Sequence, residues 1–472
     1  MDIIQQKKKI YDTVREKQQT LFKMQENKDR VYLSEYKNLV SKEKLPDGTV
    51  ANVWSNAFDK ALSEHKIVII PASDEKYYIS RSVIMSSGNG IIAEKGAVIR
   101  LLDGVKVLMV RNKNVIDGSF YPEDKNVQKD KDLFIIGGRW EEYHTGRAGY
   151  LKSGRFDDNE DWLGVSTAML FSNVENLLLK DIEFYHTAGF AIQIGNLSNF
   201  YIENITFEEC FADGVHINGR VSYGEVRDIR GYTGDDLVAL NMYDWANSGI
   251  NFGPLDYVVV ENLYPSEESP YKSIRLQPGT YYYDDGTSCD CSINNLIMKN
   301  VNGIENFKMY LQLPAYKDKP EESATIGSGN NIFFEDIDID LKMPIDKDLV
   351  LKNKEGYRHF AAFEICSNID NLYFENVNVT MHKDSFPESS PIMIGPKSST
   401  AVYEGNILEV FMPDTSCTVN NIYLKDFKVN GVNIENKSQA VNVIEMHKNA
   451  DYPNTLPRGG DGKGIVKNIE IV

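Results

Sequence analysis

Along most of this chain, apolar and polar positions recur in one unit: a short apolar run, a charged or polar residue, an Asn or Asp, then a second apolar alternation. The unit reads LLLKDIEF at 177–184, FYIENITF at 200–207, GEVRDIRG at 224–231 and VVVENLYP at 258–265. LIMKNVNG (296–303), IFFEDIDI (332–339), LYFENVNV (372–379) and IYLKDFKV (422–429) follow, and IVKNIEI (465–471) ends the series. The first units begin 23 and 24 residues apart, at 177, 200 and 224, and later intervals stretch through inserted loops. A period in the low twenties, with strand-length runs rich in β-branched residues, predicts an all-β solenoid. In it each coil buries its apolar side chains against its neighbours, and about ten coils fit the chain. The repeated Asn or Asp suits a corner in the left-handed conformation, which those two residues tolerate.

The beginning of the chain follows a different rhythm. Residues 1–45 are dense in Lys, Glu and Gln, with apolar residues at Ile3, Ile10, Val14, Leu21 and Phe22 in loosely helical spacing. Two readings stand: a helix packed on the main body, which is favoured because heptads are not sustained, or an arm for homo-oligomerisation. From Asn52 the pattern becomes a short amphipathic helix (54–62), the strand Lys66–Ala72 closed by Pro71, and a second strand at Tyr77–Ser80. Such a helix would cap the otherwise open end of a solenoid. The expected division is a charged helical extension over 1–48 and a catalytic solenoid over 49–472.

Composition narrows the partners. The 472 residues carry a net charge of -18, which argues against nucleic acid and anionic membrane surfaces. Hydrophobic residues make up 42%, with 26 Tyr and 21 Phe, enough for a long core and well suited to sugar-binding clefts. Five cysteines, odd in number, do not make a disulfide framework, and Cys289-Asp290-Cys291 has no second pair or nearby His for zinc. No cofactor and no metal is expected. No apolar run approaches the ~18 residues of a membrane span. The start MDIIQQKKKIYDTVREK has no apolar signal core, so the expected location is cytoplasmic, or secreted if a leader has been removed.

The chemistry concentrates between Phe211 and Asn241. Asp213-Gly214 leads into Val215-His216-Ile217, and Gly234-Asp235-Asp236 leads into Leu237-Val238-Ala239-Leu240. A coil of this period sets the three aspartates side by side, where each raises its neighbours' pKa. Glycosidic cleavage with inversion needs one protonated carboxyl for the leaving oxygen and ionised ones to activate water, about 6.5–9.5 Å apart. His216 is one alternation step from the aspartates and could bond to sugar or to an aspartate. Arg275 needs a carboxylate partner, in the trio or on a substrate. Asn241 is either a corner residue or a sugar ligand, and the corner is favoured.

These residues carry a resemblance. Ala212-Asp213-Gly214 and Gly234-Asp235-Asp236 resemble the TDG…DD signature of polygalacturonase-type glycoside hydrolases (family 28), which are right-handed parallel β-helices. Gly137-Gly138-Arg139-Trp140 looks like that family's early Gly-Gly-x-Trp strand, and Arg275-Leu276-Gln277 sits where the family carries Arg-x-Lys. The resemblance implies a single-stranded right-handed parallel β-helix that cleaves an oligosaccharide or polysaccharide. It makes Asp235 the general acid and has Asp213 and Asp236 hold the water. Arg275 and Gln277, with Arg139 and Trp140, lie on the strands that match the family and are candidate sugar contacts, to which His216 and Asn241 are added for their place near the aspartates. The chain departs from the family in three places. No Gly-His-Gly coil follows the aspartate pair, Gln277 replaces a lysine, and His216 stands where polygalacturonases repeat an Asp. The missing lysine points to a neutral sugar or a different uronide.

Two excursions could wall a cleft: 139–163, with His144, Arg147, Tyr150, Arg155 and Trp162, and 280–288, with three tyrosines. Tyr243, Asp244 and Trp245 could narrow one end. Competing readings are a lyase using Ca²⁺ with Arg275 as base, an epimerase or fructan-transferring enzyme, and a non-catalytic carbohydrate-binding solenoid.

Overall fold

A computed structural model describes residues 3–115, 128–147, 167–244, 250–282, 286–309, 326–341, 361–382, 390–395, 401–404, 407–412, 416–446, 455–459 and 462–472. The repeats seen in the sequence become rungs of a parallel β-helix. Among the described residues its second face stacks twelve strands in parallel register, from Ile67–Ile70 to Gly464–Ile471. The first face stacks shorter strands, among them Val215–Asn218, Val238–Asn241, Ser273–Gln277 and Asn306–Met309.

The repeated Asn or Asp makes the corner between the second and third faces. Asp181, Asn204, Asp228, Asn262, Asn300, Asp336, Asn376 and Asp426 all have φ between 50° and 60°. Those with an amide bond back to the coil before: Asn204 Nδ2 to Asp181 at 2.7 Å, Asn300 to Asn262 at 2.6 Å, Asn376 to Asp336 at 2.8 Å. A left-handed corner thus has both its backbone conformation and its side-chain polarity satisfied by one residue.

Between the corners, alternation divides each strand. Val215, Ile217, Val238, Leu240, Ile274 and Leu276 enter one long core, while the residues between them face away. On the second face the outward row is itself apolar. Phe134, Leu178 and Tyr201 lead to Glu225, then Val259, Ile297, Phe333 and Tyr373. Apolar side chains pointing away from a core need a cover, and the start of the chain supplies it. Helix α1 (Ile3–Gln18) lays Ile10 and Val14, both completely buried, on Val259, Ile297, Phe333 and Tyr373. Leu21 continues the cover over Phe134, Leu178 and Tyr201. Lys7 pairs with Glu335 at 2.9 Å and Gln6 bonds to Asn295 at 3.1 Å. The face that an oligomerisation arm would need is used within the chain.

Beyond α1, Arg30–Tyr32 adds a parallel rung beside Ile67–Ile70, and Ser41–Lys44 forms a hairpin with Val50–Val53. Helix α2 (Ser55–Glu64) then buries Ala57, Phe58, Ala61 and Leu62 against the first coil, including Val68 and Ile70. No described helix is long and apolar enough to cross a membrane.

Candidate active site

The site forms on the first face, at the N-terminal ends of its strands. Val215–Asn218 and Val238–Asn241 pair in parallel, which sets Asp213 beside Asp235 and Asp236. Gly214 N–H donates to the Asp236 carbonyl at 3.1 Å, and Gly234 N–H to the Cys210 carbonyl at 2.7 Å. A β-carbon on Gly214 would stand 2.4 Å from the Phe207 ring, and one on Gly234 2.5 Å from the Phe211 carbonyl oxygen. Both glycines are therefore required by how closely the coils stack.

One carboxylate oxygen of each aspartate lies within 4.8 Å of the others. That is closer than the about 6.5–9.5 Å expected for an inverting pair, so spacing alone does not assign the stereochemistry. Asp236 is completely buried and Asp213 is 2% exposed, while the Asp235 side chain keeps 14% of its surface.

Three cations converge on the pair. Arg275 Nε stands 2.9 Å from Asp236, and its Nη2 stands 3.4 Å from Asp235. Lys308 Nζ lies 3.3 Å from Asp236, and Arg147 Nη1 lies 3.1 Å from Asp235. Arg275 and Lys308 are register neighbours on the outward row that runs from Gln193 through His216 and Ala239 to Glu364. Arg275 is thus a counter-ion to both aspartates. A charged guanidinium held this way is poorly suited to be the base of a lyase. The three aspartates are near enough to share a metal ion, but two of them already face these cations.

Burial and charge split the pair. Burial pushes Asp236 up, and Arg275 and Lys308 only partly counter it. With Asp235 and Asp213 adding repulsion, its carboxyl is pushed up to about 6. Burial would raise Asp235 too, but Arg275, Arg147 and Lys308 together outweigh it and hold that carboxyl below its ordinary value. Of the two, Asp236 is therefore the one that keeps a proton to higher pH. This is the reverse of the order expected from the sequence, because the cations are unevenly placed.

His216 is 1% exposed and bonded at both ring nitrogens, to Asp213 at 2.6 Å and to Asp244 at 2.7 Å. Burial opposes a charge on the ring, but the bonds to Asp213 and Asp244 prevail and push it up to about 9. Of the two expected partners, sugar or aspartate, the ring has the aspartate, and with both nitrogens occupied the expectation of a sugar contact is corrected. Asn241 ends its strand in register with Asn218 and Gln277, without the positive φ of a corner. Both polar atoms of its amide are buried with no hydrogen-bond partner among the described residues. Gln277 is equally buried beside it.

Two expected contacts lie elsewhere. Trp140 is completely buried in the core, its Nε1–H donating to the Gly137 carbonyl at 3.2 Å. Gly137 and Gly138 have φ of 80° and 86°, and Trp140 is in register with Ile99 and Phe184, which also point into the core. Arg139 is on the third face, paired with Glu141 at 2.9 Å and Glu208 at 3.0 Å and lying over the Tyr185 ring. Tyr243 is buried against Phe252 and Tyr281 and does not wall a cleft. Tyr150, Arg155, Trp162 and Trp245 lie outside the described residues. Lys308 and the role of Asp244 were missed. The signal for Lys308 was a lysine inside the short strand Asn306–Met309, one coil after Arg275.

No model of a known protein family matches the chain, and no curated protein is similar to it in sequence. Solved structures are similar in fold. A hyperthermoactive exopolygalacturonase from Thermotoga maritima matches with TM-score 0.53 and 13% identity, over 93% of this chain and 92% of that one. A tailspike protein mutant of E. coli bacteriophage HK620, solved with a pentasaccharide, matches with TM-score 0.52 and 11% identity, over 93% of this chain and 67% of that one. The chain is thus a polygalacturonase-like parallel β-helix in its fold, with three clustered aspartates on one face.

Proposed function

We propose that the protein is a glycoside hydrolase acting on an oligosaccharide or polysaccharide by carboxylate acid/base chemistry. The observation that carries this is the split trio: three carboxylates within 4.8 Å, one held ionised and its neighbour pushed up to about 6. Pairs driven apart in this way supply an acid and a base at one pH. Asp235 is the general acid, because it alone of the three reaches the surface. A sugar that displaces the half-exposed Arg147 removes one of the cations holding Asp235 down, and the proton passes to it from Asp236. Asp213 and Asp236 then hold the attacking water. Both are too deeply buried for an anomeric carbon to reach, which favours direct displacement with inversion.

The argument for a neutral sugar loses its premise, since Lys308 provides a second cation one coil from Arg275. Arg275 and Lys308 beside the aspartates favour a uronide, and the likeness to an exopolygalacturonase supports a pectin-related glycan. Asn241, completely buried, has amide atoms with no hydrogen-bond partner among the described residues, but its burial keeps it from direct contact with a sugar.

The test is a reducing-sugar screen over pectic, neutral plant and fructan oligosaccharides, with Asp235→Asn/Asp236→Asn as control and EDTA in parallel. Release that the double variant abolishes and EDTA leaves alone supports the hydrolase. Release abolished by EDTA, or an unsaturated product absorbing in the ultraviolet, favours a lyase, and binding without turnover favours a carbohydrate-binding solenoid.

A further inference from the structure

The floor of the site contains a clamp around one ring. His216 Nδ1 stands 2.6 Å from Asp213 Oδ2, and Nε2 stands 2.7 Å from Asp244 Oδ2. Phe190 stacks on the imidazole with 3.8 Å between centroids and 15° between planes. Asn218 steadies the far carboxylate, donating from Nδ2 to Asp244 at 3.2 Å. Two carboxylate acceptors require both ring nitrogens to donate, which makes the ring an imidazolium. The register neighbours of His216 are Gln193 and Ala239, neither of which titrates. Asp213 and Asp244 are thus the charges that decide its protonation. Asp213 Oδ1, in contrast, is buried with no hydrogen-bond partner among the described residues. One oxygen of this carboxylate is fixed, and the other is left over beside Asp235 and Asp236.

We propose that His216 is a positioning residue anchored by Asp244: it grips Asp213 by Oδ2 so that Oδ1 is presented to the attacking water. The inference rests on the hydrolase reading above. Orientation matters as much as charge, since a small misplacement of the group that holds the nucleophile costs rate without weakening binding.

His216→Asn and Asp244→Asn test this with two readouts. Asparagine keeps a donor near the place of Nδ1 but carries no charge and does not reach Asp244. The first readout is the carboxyl ¹³C titration of Asp213 in aspartate-labelled protein, assigned with Asp213→Asn. Its midpoint should move up by about one pH unit or more in His216→Asn, because a paired cation is lost. The second is turnover of the best substrate from the screen. kcat should fall roughly ten- to a hundredfold with KM within about twofold, and the acidic limb of the kcat profile should move to higher pH. Asp244→Asn should act in the same direction with a smaller effect, and it carries the test if His216→Asn does not fold.

A rise in KM with kcat held would make His216 a substrate ligand and overturn the proposal. An unmoved Asp213 midpoint, or an unchanged pH profile in both variants, would reduce it to a packing residue. Should the wild type turn over nothing, the hydrolase reading falls and the reaction role with it. An unmoved midpoint in an active enzyme sinks the role of His216 alone.

Discussion

Asp235 and Asp236 are adjacent in sequence yet differ in what surrounds them, and the cause is a set of residues far away in the chain. Arg147 comes from before the trio, and Arg275 and Lys308 come from the two coils after it. Removing Arg147 relieves one cation from Asp235, so its carboxyl rises and it keeps its proton to higher pH. In Arg147→Ala the basic limb of kcat/KM should therefore move up by about half a pH unit, the worth of a half-exposed pair. A limb that stays put or moves down would place the acid on Asp236. His216 gives a second test at this scale, read in stability. Its folded pKa of about 9 lies above the ordinary value of 6.5. Its contribution is thus fully present below pH 6.5 and is lost as pH rises through 9, by about 3 kcal/mol. Urea unfolding at pH 6 and pH 9.5 should show that loss in the wild type, and a smaller one in His216→Asn. The aspartates were legible because they open apolar strands next to a glycine, Gly214 or Gly234, at coil spacing. Lys308 was not, because inserted loops break the period, and register across them cannot be counted from sequence. Trp140 misled because it takes the inward position that Phe184 takes in the next coil, and a motif match does not say which way a side chain faces.

At the scale of elements, α1 and the corners are each explained by one property of the chain. The repeat runs LLL, FYI, VVV, LIM, IFF, LYF and IYL are apolar at three successive positions, and a half-exposed strand would alternate. The middle residue of each faces outward, so these runs already called for a cover, and the helical spacing of Ile10, Val14 and Leu21 provides it. Val14→Asp puts an unpaired carboxylate into that seam and loses the buried valine. It should lower stability by roughly 3–5 kcal/mol, seen as an early thermal transition with association on size exclusion. The corners allow a finer test. Asn300 has φ of 50° and bonds to Asn262 and to the Tyr264 hydroxyl. Asn300→Ala should cost about 1–2 kcal/mol, and Asn300→Gly less, because glycine keeps the backbone conformation and loses only the bonds. Equal losses in urea melts would show that the conformation contributes nothing.

For the molecule as a whole, the parallel β-helix was readable from period and composition, whereas the twelve described second-face rungs exceed the ten or so expected. Early rungs such as Ile67–Ile70 and Gly90–Leu101 do not carry the repeat's Asn or Asp. A stack of this kind touches only nearest neighbours, so its coils ordinarily come apart from either end. Helix α1 breaks that symmetry, because it ties the N-terminal end to coils as far along as Tyr373. The rungs Cys417–Val429 and Gly464–Ile471 are beyond most of that splint, and among the described residues Gly464–Ile471 pairs with Cys417–Val429 alone. Fraying should then be one-directional. In native-state hydrogen exchange, the amides of Gly464–Ile471 should exchange first and those of Cys417–Val429 next. The coils under α1 should open together as one late unit, with the aspartates inside the part that opens last.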